Sequence, residues 1–296
     1  MFQSKSVVFM LLAIAGAASA ASAQGFMLFG DKNVLPEGDQ QFVMPITSPF
    51  YNENSLVTTD VRLVFAHHRL NDDSILGDDA WANVVGVQAR LALTETLQLV
   101  AYKDGYIDLE GDVVDTEGFN DIGAGLKWQF WRDVESNFYA AAGAGYEFAF
   151  GQARALQDDS EARVWLSVDK GFGKFHVGGT LNGRFTTSDE DRDNGNSNVL
   201  TWHLRADYRL TEKFSPVIEI NGYHIMNDSD TGVPLNGADV LNFGATDADP
   251  TISGGVGVEY RFTPTVAVRG AFEAPLSDND ESLFGTRYTF SIVISF

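Results

Sequence analysis

The sequence contains no cysteine. That excludes disulfide staples, thiolate metal sites and cysteine nucleophiles, so an exported form of the chain must be stable through hydrogen bonding and packing alone. Basic residues are scarce: 20 Lys and Arg stand against 41 Asp and Glu, for a formal net charge of −21. This balance argues against a nucleic-acid partner bound through a basic face. No segment approaches the roughly 20 consecutive apolar residues of a spanning helix. The mean hydropathy is −0.09, an ordinary value for a soluble protein. A membrane-embedded sheet averages out the same way, because only one side of each of its strands is apolar.

What is present begins at the N-terminus. Lys5 supplies positive charge, Val7 to Ala15 form a short apolar stretch, and Ala21-Ser22-Ala23 fits a small-residue cleavage pattern before Gln24. This predicts a secretory signal peptide over residues 1–23, with Ala18-Ser19-Ala20 as a second possible cut. Export alone leaves two readings open, a membrane barrel and a soluble periplasmic or secreted protein. Residues 24–54 show no clean period and are interrupted by Pro36, Pro45 and Pro49.

From residue 55 the pattern becomes alternation. Twelve runs are read, over residues 57–70, 81–93, 97–106, 122–130, 138–150, 162–170, 175–186, 199–210, 214–225, 251–262, 265–274 and 283–296. Most are nine to fourteen residues long. A tilted barrel strand needs about nine to eleven residues to cross the hydrocarbon layer, whereas strands of soluble proteins cluster nearer five or six. The links alternate in kind. Short ones fall at 94–96, 131–137, 171–174, 211–213 and 263–264; longer, acidic ones fall at 107–121, 187–198 and 226–250. Short turns at one end and long loops at the other predict an all-β, closed antiparallel transmembrane barrel of about twelve strands over residues 55–296, with both termini on the periplasmic side.

The faces are legible. In 199–210, Leu200, Trp202, Leu204, Ala206, Tyr208 and Leu210 oppose Thr201, His203, Arg205, Asp207 and Arg209. Arg and Asp at every second position are costly in a dry core, and a wet lumen removes that cost. Aromatic residues gather near run ends: Trp128, Phe130, Trp131, Phe138, Tyr208, Tyr260 and Phe262 on the turn side, with Trp81, Tyr146, Phe148 and Phe150 on the loop side. Two interfacial girdles would place them so. The plainer reading is that aromatic residues favour strands in general.

The closing run Arg287-Tyr-Thr-Phe-Ser-Ile-Val-Ile-Ser-Phe296 resembles the C-terminal signature of outer-membrane barrels. That resemblance implies recognition by the barrel-assembly machinery through Tyr288, Phe290, Ile292, Ile294 and Phe296. A wider resemblance rests on Asn120-Asp-Ile-Gly-Ala-Gly-Leu-Lys-Trp-Gln-Phe130, Pro216-Val-Ile-Glu-Ile-Asn-Gly-Tyr223, Gly257-Val-Glu-Tyr-Arg-Phe262 and Glu273-Ala-Pro-Leu-Ser-Asp278. These are similar to segments of bacterial barrels described as transporters associated with a phenol meta-cleavage pathway. The resemblance implies a barrel and passage of small hydrophobic or aromatic compounds. It brings no site residues.

The inward face is expected to carry Asp60, Arg62, Arg90, Lys127, Glu147, Arg163, Asp169, Arg184, Arg205, Asp207, Arg209, Glu219, Glu259, Arg261, Arg269, Glu273 and Arg287. Such a wall can select solutes by its field, or it can be a ladder of pairs that fills the barrel and holds its shape. Two segments could narrow the bore. Residues 24–54 carry Phe26, Met27, Leu28, Phe29, Phe42, Val43 and Met44, and residues 226–250 carry Val233, Pro234, Leu235, Val240, Leu241 and Phe243. Segments this long and apolar usually fold onto something, so one of the two is expected in or over the lumen. The bland reading of both is a free leader and an ordinary surface loop.

Asp189, Asp191 and Asp193 begin like a calcium loop, but Gly195 comes one residue late and Leu200 stands where the closing Glu belongs. Solvated acidic loops, some sharing divalent ions with lipopolysaccharide, are the simpler reading. His67 and His224 face outward at the loop-side ends, where a lipid-modifying barrel enzyme would place a His, but no nearby strand offers an aligned outward Ser. Gly143-Ala144-Gly145 continues a strand and is no phosphate loop. No cofactor is expected. The function these features imply is an outer-membrane channel or uptake barrel for small solutes. The alternative is a non-conducting structural or surface-interaction barrel. A lipid-modifying enzyme is the least favoured reading.

Overall fold

The computed structural model describes residues 25–74, 76–152, 160–189, 193, 196–227, 237, 239, 241, 249–277 and 282–296. The predicted signal peptide therefore lies outside the described residues, as does Asp191.

The strands are β1 Asp60–Leu70, β2 Trp81–Ala92, β3 Leu97–Lys103, β4 Tyr106–Gly111, β5 Val114–Phe119, β6 Ile122–Asp133, β7 Phe138–Phe148, β8 Glu161–Phe172, β9 Phe175–Thr186, β10 Val199–Tyr208, β11 Phe214–Ile225, β12 Thr251–Thr263, β13 Val266–Pro275 and β14 Phe284–Ser295. Neighbours in sequence pair antiparallel except β3 with β4 and β5 with β6, and β1 pairs with both β2 and β14, which closes the sheet into a barrel. β3 and β4 are two parts of one barrel strand, since both pair with β2, at its lower and upper halves. β5 and β6 likewise continue one another opposite β4 and β3. The protein is thus a closed antiparallel β-barrel of twelve strands.

Expected and observed runs agree closely, with one correction. Residues 107–121, expected as an acidic loop, form the β4–β5 hairpin that lengthens two barrel strands. The reason is a change of surroundings along the wall. Below, the outward residues are apolar, including Leu99, Leu126, Val164, Leu166, Leu204 and Phe290, and the inward ones are polar. In the hairpin the order inverts. Ile107 and Leu109 are fully buried, while Glu110, Asp115 and Glu117 point outward. Carboxylates facing out are stable in water and costly in hydrocarbon. The rings of Tyr106 and Phe119, in edge contact at 5.3 Å, sit where the outward surface changes from apolar to acidic. We read this level as one interface of the apolar belt. At the short-turn end, Trp128, Phe130, Trp131, Phe172, Tyr260 and Phe262 are outward and exposed.

Two local devices let bulky side chains fit. Gly143 leaves room for the buried Trp165 ring, whose atoms would lie 2.1 Å from an added Cβ. Gly105, at φ +116, brings the chain against β2, where a Cβ would meet the Val85 carbonyl at 2.1 Å; glycine alone tolerates both demands. There the β2 ladder is interrupted, and the Asp104 carboxylate accepts from the Val87 N–H at 2.8 Å.

The outward belt is directly testable. In bilayers of brominated lipid, a single-Trp variant retaining Trp128 should be strongly quenched. One retaining Trp165 should be nearly unquenched. Equal quenching of the two would contradict the assignment of faces.

Candidate functional site

The interior is the candidate site, and its occupant is the chain's own N-terminal segment. Residues 25–59 enter at the short-turn end, where the Gly25 and Phe26 N–H groups donate to the Phe296 carbonyl at 2.7 and 3.0 Å. They rise inside the barrel and turn at Ser48, which has φ +49 and whose carbonyl accepts from the Asn52 N–H at 2.9 Å. The chain then descends to start β1 at Asp60. Pro45 and Pro49, with no N–H to give, suit a path that makes no ladder. Residues 42–58 are buried throughout, and Phe50, Tyr51 and Val57 are essentially inaccessible.

The segment's polar groups meet the barrel wall on two sides. On one, Glu53 binds Arg90 (Nη2 to Oε2, 2.6 Å) and Lys127 (2.9 Å). On the other, wall carboxylates accept backbone N–H groups. Asp169 accepts from Ser55 at 2.7 Å, and Glu219 accepts from Ile46 at 3.0 Å and Thr47 at 2.6 Å. Wall amides reach the segment's carbonyls in turn: Gln88 to Pro49, Gln98 to Thr58 and Gln129 to Ser55, each at 2.7 Å. A backbone without regular structure has to find partners for its N–H and C=O groups when buried. Here the wall supplies them.

Above, the surroundings are dry. Phe50 and Tyr51 at the turn join Ala66, Leu70, Ala82, Val84, Tyr102, Ile107, Leu109, Leu241 and Leu283 in one apolar cluster. The expectation of a wet interior needs correction at this end, because above the membrane level the barrel packs a core of its own. Arg163 lies beneath it, with its guanidinium carbon 4.6 Å from the ring centres of both Tyr102 and Trp165, and donates to the carbonyls of Phe50 and Tyr51. Arg184 stacks on Tyr51 at 4.3 Å and pairs with Glu161 at 2.7 Å. Lys103 pairs with Glu147.

The wall's remaining charges are also occupied. Arg205 binds Asp169 at 2.5 Å, and Asp207 binds His176 Nδ1 at 2.7 Å. Arg209 donates to Gln41 at 2.9 Å. Glu259 holds Arg261 and Arg269, each at 2.7 Å. Arg62 binds Asp60 at 2.9 Å. Arg287 bridges Glu273 (2.6 Å) and Asp239 (2.9 Å). Asp239, in the link between β11 and β12, also accepts from Ser48 Oγ at 3.0 Å and Tyr223 at 2.8 Å and so touches the segment's turn. Of the apolar residues expected over the lumen from that link, Leu241 is described, and Val233, Pro234, Leu235, Val240 and Phe243 lie outside the described residues. Burial pushes the Asp239 carboxyl up, but Arg287 and the Tyr223 and Ser48 hydroxyls together hold it below the usual carboxylate range.

Of the charges expected on the inward face, all are buried except Arg261, which is partly exposed. Sequence reasoning missed Glu53, Lys103, Glu161 and Asp239. Lys103 escaped because a bulge at the β3–β4 junction turns two successive residues, Tyr102 and Lys103, inward. Nothing in a strand pattern points to Glu53, which is not in a strand.

The other expected groups come together less well. Among the described residues no three metal-ligating side chains cluster, and the triplet Asp189, Asp191, Asp193 cannot be assembled, since Asp191 lies outside them. His67 binds the Asn83 amide oxygen at 2.8 Å, and His224 accepts from Trp202 at 2.9 Å. The cross-strand partners of these histidines include no serine. In the last strand Tyr288 and Phe290 are outward and exposed, Ile292 and Phe296 are partly covered, and Ile294 is buried.

No protein-family model and no curated protein sequence matches the chain. Solved structures do. An outer-membrane channel from Pseudomonas putida F1 is 15% identical, with 81% of this chain and 96% of that chain covered and a TM-score of 0.60. The NanC porin (10% identical, 80% and 98% covered, TM-score 0.48) and the CymD monoaromatic hydrocarbon channel (11%, 82% and 89%, TM-score 0.44) are more loosely similar. The likeness to the first places the fold among outer-membrane barrels.

Glu53 is the test of how the segment is held. Removing one member of a buried charge pair typically costs about 3–5 kcal/mol. Glu53→Gln should therefore loosen residues 25–59 without unfolding the barrel. Limited proteolysis should then cut within this segment while the heat-modifiable gel band persists. An unchanged cleavage rate would show that the pairing with Arg90 and Lys127 does not hold the segment in place.

Proposed function

We propose that this protein is an outer-membrane channel for uptake of small solutes, with its lumen closed by residues 25–59 in this conformation. The single observation that carries the reading is the chemistry of the contact between segment and wall. Below the apolar turn, small apolar contacts such as Phe42 on Tyr139 and Ile46 on Val217 are interleaved with ion pairs and hydrogen bonds from Glu53, Asp169 and Glu219, polar contacts that water can replace. Inward of a ≈ 440 Å³ cavity at the rim, the cavities beside the segment are small, ≈ 50 Å³ toward the short-turn end and ≈ 20 Å³ within the apolar cluster. Conduction therefore requires the segment to move. The Pseudomonas putida barrel bears the description of a channel, which supports this reading. Hydrophobic or aromatic solutes are the class implied by the resemblance to phenol-pathway barrels. Lipid, lipopolysaccharide and the barrel-assembly machinery are the partners this location implies, and export would remove residues 1–23. The same reading sets both termini on the periplasmic side, where the short turns lie.

A second reading is favoured by one specific observation. The upper lumen is an apolar core rather than a polar gate, which suits a non-conducting barrel that presents acidic loops at the cell surface. Planar-bilayer recording separates the two. The intact protein should be almost silent, and a variant lacking residues 25–54 should give stable conductance steps. Silence of both would favour the non-conducting barrel. Nothing in the positions of His67 and His224 supports a lipid-modifying enzyme.

A further inference from the structure

We propose that the short-turn end of the lumen contains a binding site for a small organic carboxylate, with Arg269 as its principal contact. The proposal deepens the channel reading, on which its use in transport rests. Binding itself can be measured apart from transport.

The first observation is a charge imbalance. Two ion-pair networks occupy neighbouring parts of the wall. In one, Arg62, Arg90 and Lys127 share Asp60 and Glu53; in the other, Arg261 and Arg269 share Glu259. Five cations thus meet three carboxylates, an excess of two positive charges. All but Arg261 are buried, and buried charge without a counter-charge is strongly unfavourable.

The second observation is unmet hydrogen-bonding capacity. Among the described residues, Arg62 Nη2, Arg90 Nη1 and Arg269 Nη1 are buried without a hydrogen-bond acceptor, Arg90 Nη1 lying 3.7 Å from an Asp60 oxygen, and of the three Arg269 lines a chamber. A guanidinium that gives one N–H to a carboxylate and has others free is ready for a second oxyanion, the partner it binds most strongly.

The third is space. Arg269 and Arg261 line the chamber of ≈ 50 Å³ together with Asp60 and the apolar side chains of Phe42, Met44 and Leu56. One water needs roughly 10–15 Å³ of such space, so the chamber admits a carboxylate head with a short alkyl stem. Gln41 and Arg261 also border the wider cavity at the rim, of ≈ 440 Å³, where Arg209, Lys213 and Arg261 outnumber Glu37 and Glu212 by one charge. A ligand has an approach of mixed charge with a small cationic excess, and then a site with Arg269 and Arg261 on one side, Phe42, Met44 and Leu56 on another, and an Asp60 carboxylate already engaged by Arg62 and Arg90. Apolar lining strips water from an ion without replacing it, which disfavours phosphate. It suits an anion that carries its own apolar body.

The experiment is calorimetric titration of the full chain in detergent with propionate, in low-chloride buffer, with chloride and inorganic phosphate as comparison ligands. Wild-type protein should bind propionate saturably and more tightly than either inorganic anion. Arg269→Gln should weaken binding at least tenfold, Arg269→Lys should recover part of it, and the distant Arg69→Gln should leave it unchanged. Heat-modifiable migration confirms that each variant is folded, and Arg261→Gln serves if the Arg269 variants are not. Absence of saturable binding, binding indifferent to Arg269 and Arg261, or equal binding of chloride or phosphate would each overturn the proposal. A barrel that conducts without residues 25–54 yet fails to bind propionate loses only this site. One that binds propionate and remains silent loses only the channel reading.

Discussion

Everything inside this barrel follows from one requirement: the charged inner wall must be satisfied in a space where bulk water is largely displaced. Closing twelve amphipathic strands within lipid turns every second residue inward, and many of those residues are Arg, Asp and Glu. Left alone in a narrow bore they would need water or each other. The protein supplies a third partner, its own N-terminal segment. Glu53 meets the cationic side through Arg90 and Lys127. Backbone N–H groups of Ile46, Thr47 and Ser55 meet Glu219 and Asp169 on the other. Wall and segment each complete the other's hydrogen bonding.

The same requirement explains why the two ends differ. Beyond the apolar belt the outer surface of the wall meets water, so its polarity reverses. Glu110, Asp115 and Glu117 turn out, while Ile107 and Leu109 turn in against Tyr102, Leu70 and the tip of the segment. The upper barrel is folded like a small soluble domain with a dry core. The lower barrel is folded like a membrane protein, apolar outside and polar within. One strand pair, β3–β4 with β5–β6, passes through both regimes.

This reversal also sets the limit of what the sequence makes legible. Alternation in residues 199–210 or 283–296 can be read directly, because apolar-out and polar-in hold along their membrane portion. The alternation of Ile107, Asp108, Leu109 and Glu110 is equally regular. Read with lipid outside, however, its charges fall on the wrong face, and the stretch passes for an acidic loop. The inward charges of the candidate site were legible wherever the strand was regular. Lys103 was hidden by a bulge, and Asp239 by a loop. The segment itself has no period to detect, because its partners are side chains of the wall rather than a neighbouring strand. Its apolar residues signalled that it is not a free tail, but pairings such as Glu53 with Arg90 and Lys127 are tertiary facts with no local trace.

The central claim is that residues 25–59 are an integral part of the barrel interior rather than a leader resting near it. Hydrogen exchange on the folded protein in detergent tests this most directly. The amides of Ile46, Thr47 and Ser55, which donate to buried carboxylates, should be protected to a degree comparable with amides of the barrel strands. Exchange at the rate of an unstructured peptide at these positions, with the strands still protected, would contradict the account.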